Sequence, residues 1–326
     1  QNHADTGRTT PVAAAFGTCA PPTRPRPPLD RAVDPADTTA AHWATIETSG
    51  LRLRSFQVTP HARTHHDPEK ATRRPTAATV VLIPGHTSRL EALLDFARLL
   101  ATTRPVLAVE GPGCGTSDSS SQPPTLELYE DTLLGALNHF GLERVIWAGG
   151  SLGGHLALRL AAREPSRTLA VAAWGPAGAW HARPRLGRFV SGLWRGGPAA
   201  FWVSAWTQSR FWYSRDFPGR QTALHETFQY YRDRGSRRFR QMYWGMAGDQ
   251  IGHSLFDLTA SITCPVWIGR GELDNGAGMK AGVATLVSQL GDVESYEFPR
   301  ARHSVETEMP VQLASAINTF VDRRVG

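Results

Sequence analysis

Residues 147–160 read WAGGSLGGHLALRL, with four glycines gathered around one serine between an apolar run and a helical one. A strand that ends at Gly149 and a helix that begins just past Ser151 must reverse direction within a few residues, which forces the serine into a strained backbone conformation. Side chains at 149 and 153 would hold strand and helix apart. Gly149-x-Ser151-x-Gly153 therefore fits the elbow that lifts a nucleophilic hydroxyl above the edge of a sheet, with the amide of Leu152 at the positive end of the new helix. Taken alone, the pattern is equally a glycine-rich turn without chemistry, so its meaning rests on the remainder of the chain.

On both sides of it, short apolar runs alternate with amphipathic ones. TVVLIPG (79–85), PVLAVEG (105–111), RVIWAGG (144–150) and LAVAAWG (169–175) are continuously apolar, whereas residues 90–102 and 126–140 carry helical spacing. Strands apolar on both faces, each followed by a helix, are what a parallel sheet covered on both sides requires. The fold class is α/β, a mostly parallel central sheet with helices on both faces. Upstream, HWATIETSG (42–50) and LRLRSFQVTP (51–60) predict an antiparallel hairpin turning at Ser49-Gly50. Residues 1–40 are rich in proline and poor in large apolar groups, which predicts a flexible arm.

A serine hydroxyl needs a base within hydrogen-bond reach, and the base needs an orienting carboxylate. The run CPVWIGRGELDNGAG (264–278) is an apolar strand ending in a polar turn that holds Glu272 and Asp274, both candidate acids. ESYEFPRARHSVETEMPVQLASAINTFV (294–321) gives a strand, a loop with His303, and a helix from about Glu308 burying Leu313, Ile317 and Phe320. Both turns leave the sheet at the edge where Ser151 emerges, in the chain order serine, acid, histidine. His139, His181, His225 and His253 lack a partner at ligand spacing, and Cys19, Cys114 and Cys264 are too scattered for a cysteine cluster, so no metal and no cofactor are expected. His155, on the first turn after the serine, reads as a packing residue, and Cys114 as a buried loop thiol.

These residues resemble the α/β-hydrolase superfamily, in its lipase- and esterase-like branch. LIPGHTS (82–88) resembles the oxyanion strand and loop, which implies that His86 supplies a second backbone N–H beside that of Leu152. VEGPGCGTSD (109–118) resembles the glycine-rich loop after the next strand, with Glu110 where aspartate is common. IGRGELDNGA (268–277) resembles the acid turn and assigns the carboxylate to Asp274. ARHSVETEMP (301–310) resembles the histidine loop and assigns the base to His303. The match spans about Trp43 to Trp174 and Asp257 to Val325. It implies a hydrolase core at 41–176 and 257–326 interrupted by a helical cap at 177–256. The activity implied is hydrolysis of a carboxylic ester, thioester or lactone by a Ser151–His303–Asp274 triad. Acyl transfer, carbon–carbon bond hydrolysis and ligand binding without turnover are its rivals.

The interrupting segment is dense in aromatics, holding six of the ten tryptophans, which predicts a substrate with an apolar or aromatic portion. Between Gly178 and Gln250 it carries twelve arginines against four carboxylates, an excess larger than the whole chain's net +6. Such a surface steers an anionic substrate or partner, or else simply solvates helix faces in an arginine-rich chain. No nucleic-acid module accompanies the charge, so nucleic acid is not an expected partner. No apolar run is long enough to span a membrane, and the first residues lack a leader pattern. A cytoplasmic location is the expectation, with secretion after loss of a signal left open, and nothing in the chain speaks to oligomeric state.

Overall fold

The computed structural model describes residues 41–60, 78–234 and 237–326. The expected arm at 1–40 lies outside them. The hairpin forms as expected, from β1 (Ala41–Thr48) and β2 (Leu51–Val58), and both turn residues take positive φ, 51° at Ser49 and 71° at Gly50. Two consecutive left-handed residues match the right-handed twist of the flanking strands, which is why so short a loop suffices.

The sheet continues with β3 (Val80–Ile83), β4 (Val106–Val109), β5 (Val145–Gly150), β6 (Thr168–Trp174), β7 (Val266–Gly271) and β8 (Val293–Phe298). Strand order is β1-β2-β4-β3-β5-β6-β7-β8, antiparallel through the β2–β4 pair and parallel from β4 onward. Each apolar strand serves two cores, because alternate side chains point to opposite faces. In β5, Val145 and Trp147 join one cluster and Ile146 and Ala148 the other. The first face is covered by α2 (Leu126–His139), α3 (Leu152–Arg163) and α8 (Met279–Gln289), through Leu133, Leu156, Leu160, Val283 and Leu286. The second is covered by α1 (Leu90–Leu100) and α10 (Pro310–Arg324), through Leu93, Phe96, Leu313, Ile317 and Phe320. Each such side chain removed from water contributes about 1.5–3 kcal/mol before its entropy cost. Helix α8 did not emerge from the sequence reading, although Met279, Val283, Leu286 and Leu290 have helical spacing and are buried.

Between β6 and β7 the chain leaves the sheet and forms α4 (Pro184–Gly192), α5 (Gly197–Trp212), α6 (Arg220–Arg234) and α7 (Arg237–Gly252). These helices build a separate aromatic cluster around Phe201, Phe239, Tyr243 and Trp244. Their attachment to the sheet is partly apolar, with Met246 of α7 in the first core cluster, and partly polar. Asp249 of α7 accepts the Leu126 amide at 2.7 Å, neutralising a first-turn donor of α2, and Arg238 donates to the Ser117 carbonyl and the Ser119 hydroxyl beyond β4. A short helix, α9 (Val305–Glu308), precedes α10.

Candidate active site

Ser151 lies between β5 and α3 at φ 54° and ψ −115°, a conformation that costs a non-glycine residue of the order of 1–3 kcal/mol. Its surroundings leave no alternative. A Cβ on Gly149 would stand 2.5 Å from the Gly153 carbonyl carbon, and one on Gly153 only 2.1 Å from the Ile83 carbonyl oxygen. The glycines thus allow the strand, the elbow and the end of β3 to touch backbone to backbone. The Ser151 amide donates to the Trp174 carbonyl at 3.0 Å. Leu152 opens α3, so its N–H belongs to the first-turn donors that a helix cannot use internally. Gly85 and His86 follow β3 in a turn closed by the Ser88 amide on the Gly85 carbonyl at 3.1 Å, and Gly85 packs beside the Ser151 Cβ.

The two candidate acids separate cleanly. Asp274 is buried and its Oδ2 lies 2.8 Å from His303 Nδ1. Glu272 instead accepts the Arg300 amide at 2.8 Å, two residues into the turn after β8. Gly175, at φ 48° just past β6, leaves room for the acid–histidine pair. A Cβ there would sit 3.3 Å from Asp274 Oδ2 and 3.4 Å from His303 Nδ1. Burial disfavours the charged His303 ring, but the charge and hydrogen bond of Asp274 outweigh it, and Glu306 adds to them, so the pKa is raised. The His86 ring behaves oppositely. It stacks on Tyr243 with centroids 4.9 Å apart, and burial depresses its pKa to about 4, so it is neutral near pH 7.

Ser151, His303 and His86 share the wall of a cavity of about 470 Å³. Trp212 and Tyr213 face it from the end of α5, and Thr227 and Glu226 from α6. Among the described residues, Trp212 is the insertion's one tryptophan in that wall. The aromatic wealth read as a binding pocket goes mostly into the helices' own cluster. The rest of the wall mixes hydroxyls of Thr87, Ser88, Ser304 and Thr307 with apolar Leu93, Ala92 and Ala223. Glu306, also in the wall, accepts from Trp174 Nε1 at 2.8 Å, and burial raises its pKa against that bond.

Two contributions come from outside the residues singled out in the sequence. Arg270 of β7 is almost wholly buried, and its Nη1 donates to the carbonyls of Gly271 at 2.8 Å, Asp274 at 3.2 Å and Glu272 at 3.3 Å, while Nη2 pairs with Glu297. One guanidinium thereby braces the whole turn that carries Asp274. An arginine inside an apolar strand was the available signal. The insertion also holds the histidine loop, since Ser304 N–H donates to the Trp212 carbonyl at 3.0 Å and Arg302 Nη1 to the Arg210 carbonyl at 2.6 Å. Glu308 closes that latch by accepting the amides of Ser214 and Arg302. Elsewhere, Glu110 is buried and folds the loop after β4 by accepting from the Thr116 and Ser117 amides and the Ser117 hydroxyl. His155 is fully buried, and burial pushes the Cys114 thiol up to about 12, which leaves it protonated and inert.

The alpha/beta hydrolase family matches the chain over residues 80–316. Among solved structures, the fold is similar to that of an enol-lactonase from Burkholderia xenovorans LB400, at 19% identity and TM-score 0.71, covering 86% of this chain and 100% of that one. It is similar to a thermophilic esterase from Thermogutta terrifontis, at 19% identity and TM-score 0.69, over 86% and 98% of the two chains. The same holds for 2-hydroxy-6-oxo-6-phenylhexa-2,4-dienoate hydrolase from Rhodococcus sp. strain RHA1, at 19% identity and TM-score 0.68, over 87% and 100%. No curated protein matches the chain in sequence.

Proposed function

Because the chain belongs to the alpha/beta hydrolase family, we propose that it is a serine hydrolase cleaving a carboxylic ester, thioester or lactone through an acyl-enzyme on Ser151. The observation that carries this reading is the coincidence, on one cavity wall, of a serine held at positive φ and a histidine whose far nitrogen is engaged by a buried carboxylate. His303 takes the hydroxyl proton as Ser151 adds to the carbonyl, and Asp274 fixes the ring's tautomer and offsets the charge it acquires. The amides of Leu152 and His86 donate to the oxyanion. His303 then protonates the leaving alcohol, thiol or ring oxygen, and water attacks the acyl-enzyme with the same ring as base. No cofactor enters the sequence of steps.

The helices of 177–256 act as a cap in this reading. They bring Trp212 and Tyr213 over the serine, so part of the substrate lies against aromatic surface and the rest against hydroxyls. The test is a panel of p-nitrophenyl esters, thioesters and lactones, assayed with and without an acceptor alcohol. Hydrolysis and fluorophosphonate labelling are expected, both lost in Ser151→Ala with the thermal transition unchanged. Undiminished labelling of that folded variant would identify another nucleophile, and product appearing only with the alcohol would make the protein an acyltransferase.

A further inference from the structure

The outer surface of the inserted helices carries exposed apolar side chains among arginines, a pattern that catalysis at Ser151 does not require. Helix α4 meets the protein through its backbone at Gly187 and through the Val190 side chain. A Cβ on Gly187 would lie 2.5 Å from the Gly248 carbonyl oxygen and 3.0 Å from the Gly252 amide of α7, so the two helices touch glycine to glycine. Contact of that kind uses little of α4's side-chain surface and leaves the remainder outside. Arg183, Arg185 and Arg188 are exposed there, together with Leu186 at 42% and Phe189 at 67% of their full surface. Helix α5 repeats the composition, with Val203 65% and Trp206 54% exposed and the Arg210 guanidinium 3.9 Å above the Trp206 ring. No aspartate or glutamate occurs from Pro165 to Arg215, a stretch holding seven arginines.

Single apolar side chains in water are ordinary, but Leu186 and Phe189 on one short helix and Val203 and Trp206 on the next, each set among arginines, make the apolar, polar-rimmed kind of surface that marks an interaction site. A second copy of the chain is a poor occupant. A twofold dimer built on this face would set the same arginine-rich, carboxylate-free patch against itself, and like charges would oppose it. An anionic lipid surface answers both features. Leucine, phenylalanine and tryptophan enter the boundary between headgroups and acyl chains, while arginines alongside reach up to the phosphates. We propose that the exposed faces of α4 and α5 dock this protein peripherally on a membrane rich in anionic phospholipid. Helix α5 ends at Trp212 in the cavity wall, so one helix carries both part of the docked face and part of the site.

The experiment is sedimentation of the full chain with vesicles of phosphatidylcholine alone and of phosphatidylcholine containing phosphatidylglycerol, at low and physiological salt. Binding is expected to the mixed vesicles and not to the neutral ones, and to weaken with salt. An arginine near such a surface contributes about fivefold to partitioning, so Arg185→Glu with Arg188→Glu should weaken binding by at least about 25-fold. Leu186→Ser with Phe189→Ser should weaken it as well, with the thermal transition retained in both variants. Equal partition to the two vesicle types overturns the proposal. So does binding that survives the apolar substitutions, which would be mere adsorption of a basic protein, and so does self-association that the same substitutions abolish. None of these outcomes depends on whether Ser151 is a nucleophile.

Discussion

At the scale of single residues, the proposed role of His303 as base predicts the pH behaviour. In that role only the neutral ring accepts the serine proton, so kcat/KM should fall as pH drops through the His303 pKa. Asp274 raises that pKa, and the acid limb should therefore lie above that of an unperturbed histidine. Asp274→Asn removes the charge that raises it. The limb should move to lower pH while kcat falls by about 10⁴-fold, the size of loss typical when the orienting carboxylate of such a triad becomes an amide. Glu272→Gln should leave limb and rate nearly in place, since Glu272 engages the Arg300 backbone. A pH profile of the two variants decides between them, and a reversed pattern would exchange the acids. Legibility differed just as sharply among residues. Ser151 could be singled out by the glycines around it, and His303 and the pair Glu272 and Asp274 by the strand-end turns that hold them, whereas the preference for Asp274 came from the resemblance to a family. Gly175 could not be singled out, because its importance lies in which side chains cross it rather than in its neighbours along the chain.

Among elements, the turn after β7 shows a strand being used as a brace. Arg270 points three backbone bonds at the turn that carries Asp274, and its partner Glu297 sits on the adjacent β8. A lysine cannot reproduce a planar fork aimed at several carbonyls. Arg270→Lys should consequently lower kcat about 10- to 100-fold with KM little changed, the scale of loss seen when groups supporting a first ring of ligands are removed. It should also cost about 3 kcal/mol in denaturant unfolding, because a buried ionic partner is left badly paired. A matching fall in stability with unaltered kcat would confine Arg270 to a structural role. Helix α8 makes the complementary point. Its apolar spacing was present in the sequence, but glycine and alanine dilute it, and Gly282 is placed against the Ala179 carbonyl by a contact that no local pattern encodes.

For the molecule as a whole, the inserted segment carries an excess of positive charge, while the cavity wall holds both signs, with Glu226 of α6, Glu306 and Arg89, the last 3.6 Å from Glu226. If the outer field steers an anionic substrate, kcat/KM for that substrate should fall with added salt as the Debye length contracts to about 8 Å at physiological strength, while a neutral analogue stays flat. Arg185→Glu with Arg188→Glu should flatten the anionic curve. Arg238 is unsuited to this comparison because it ties α7 to the loop after β4. Equal salt responses of the two substrates would leave the arginines without a steering role, provided viscosity dependence shows that encounter limits both.

The sequence by itself determined the α/β class, the hairpin, the elbow at Ser151 and the order of the candidate groups. These depend on periodicity of two and 3.6 and on turn residues, which are local properties of the chain. Only the tertiary structure decided which carboxylate reaches His303, that Arg270 holds its turn, and that most of the insertion's tryptophans pack away from the cavity. It also decided which apolar side chains α4 and α5 leave in water. Such facts are contacts between residues tens of positions apart, fixed by how sheet and helices pack in space, and a linear pattern does not carry that distance.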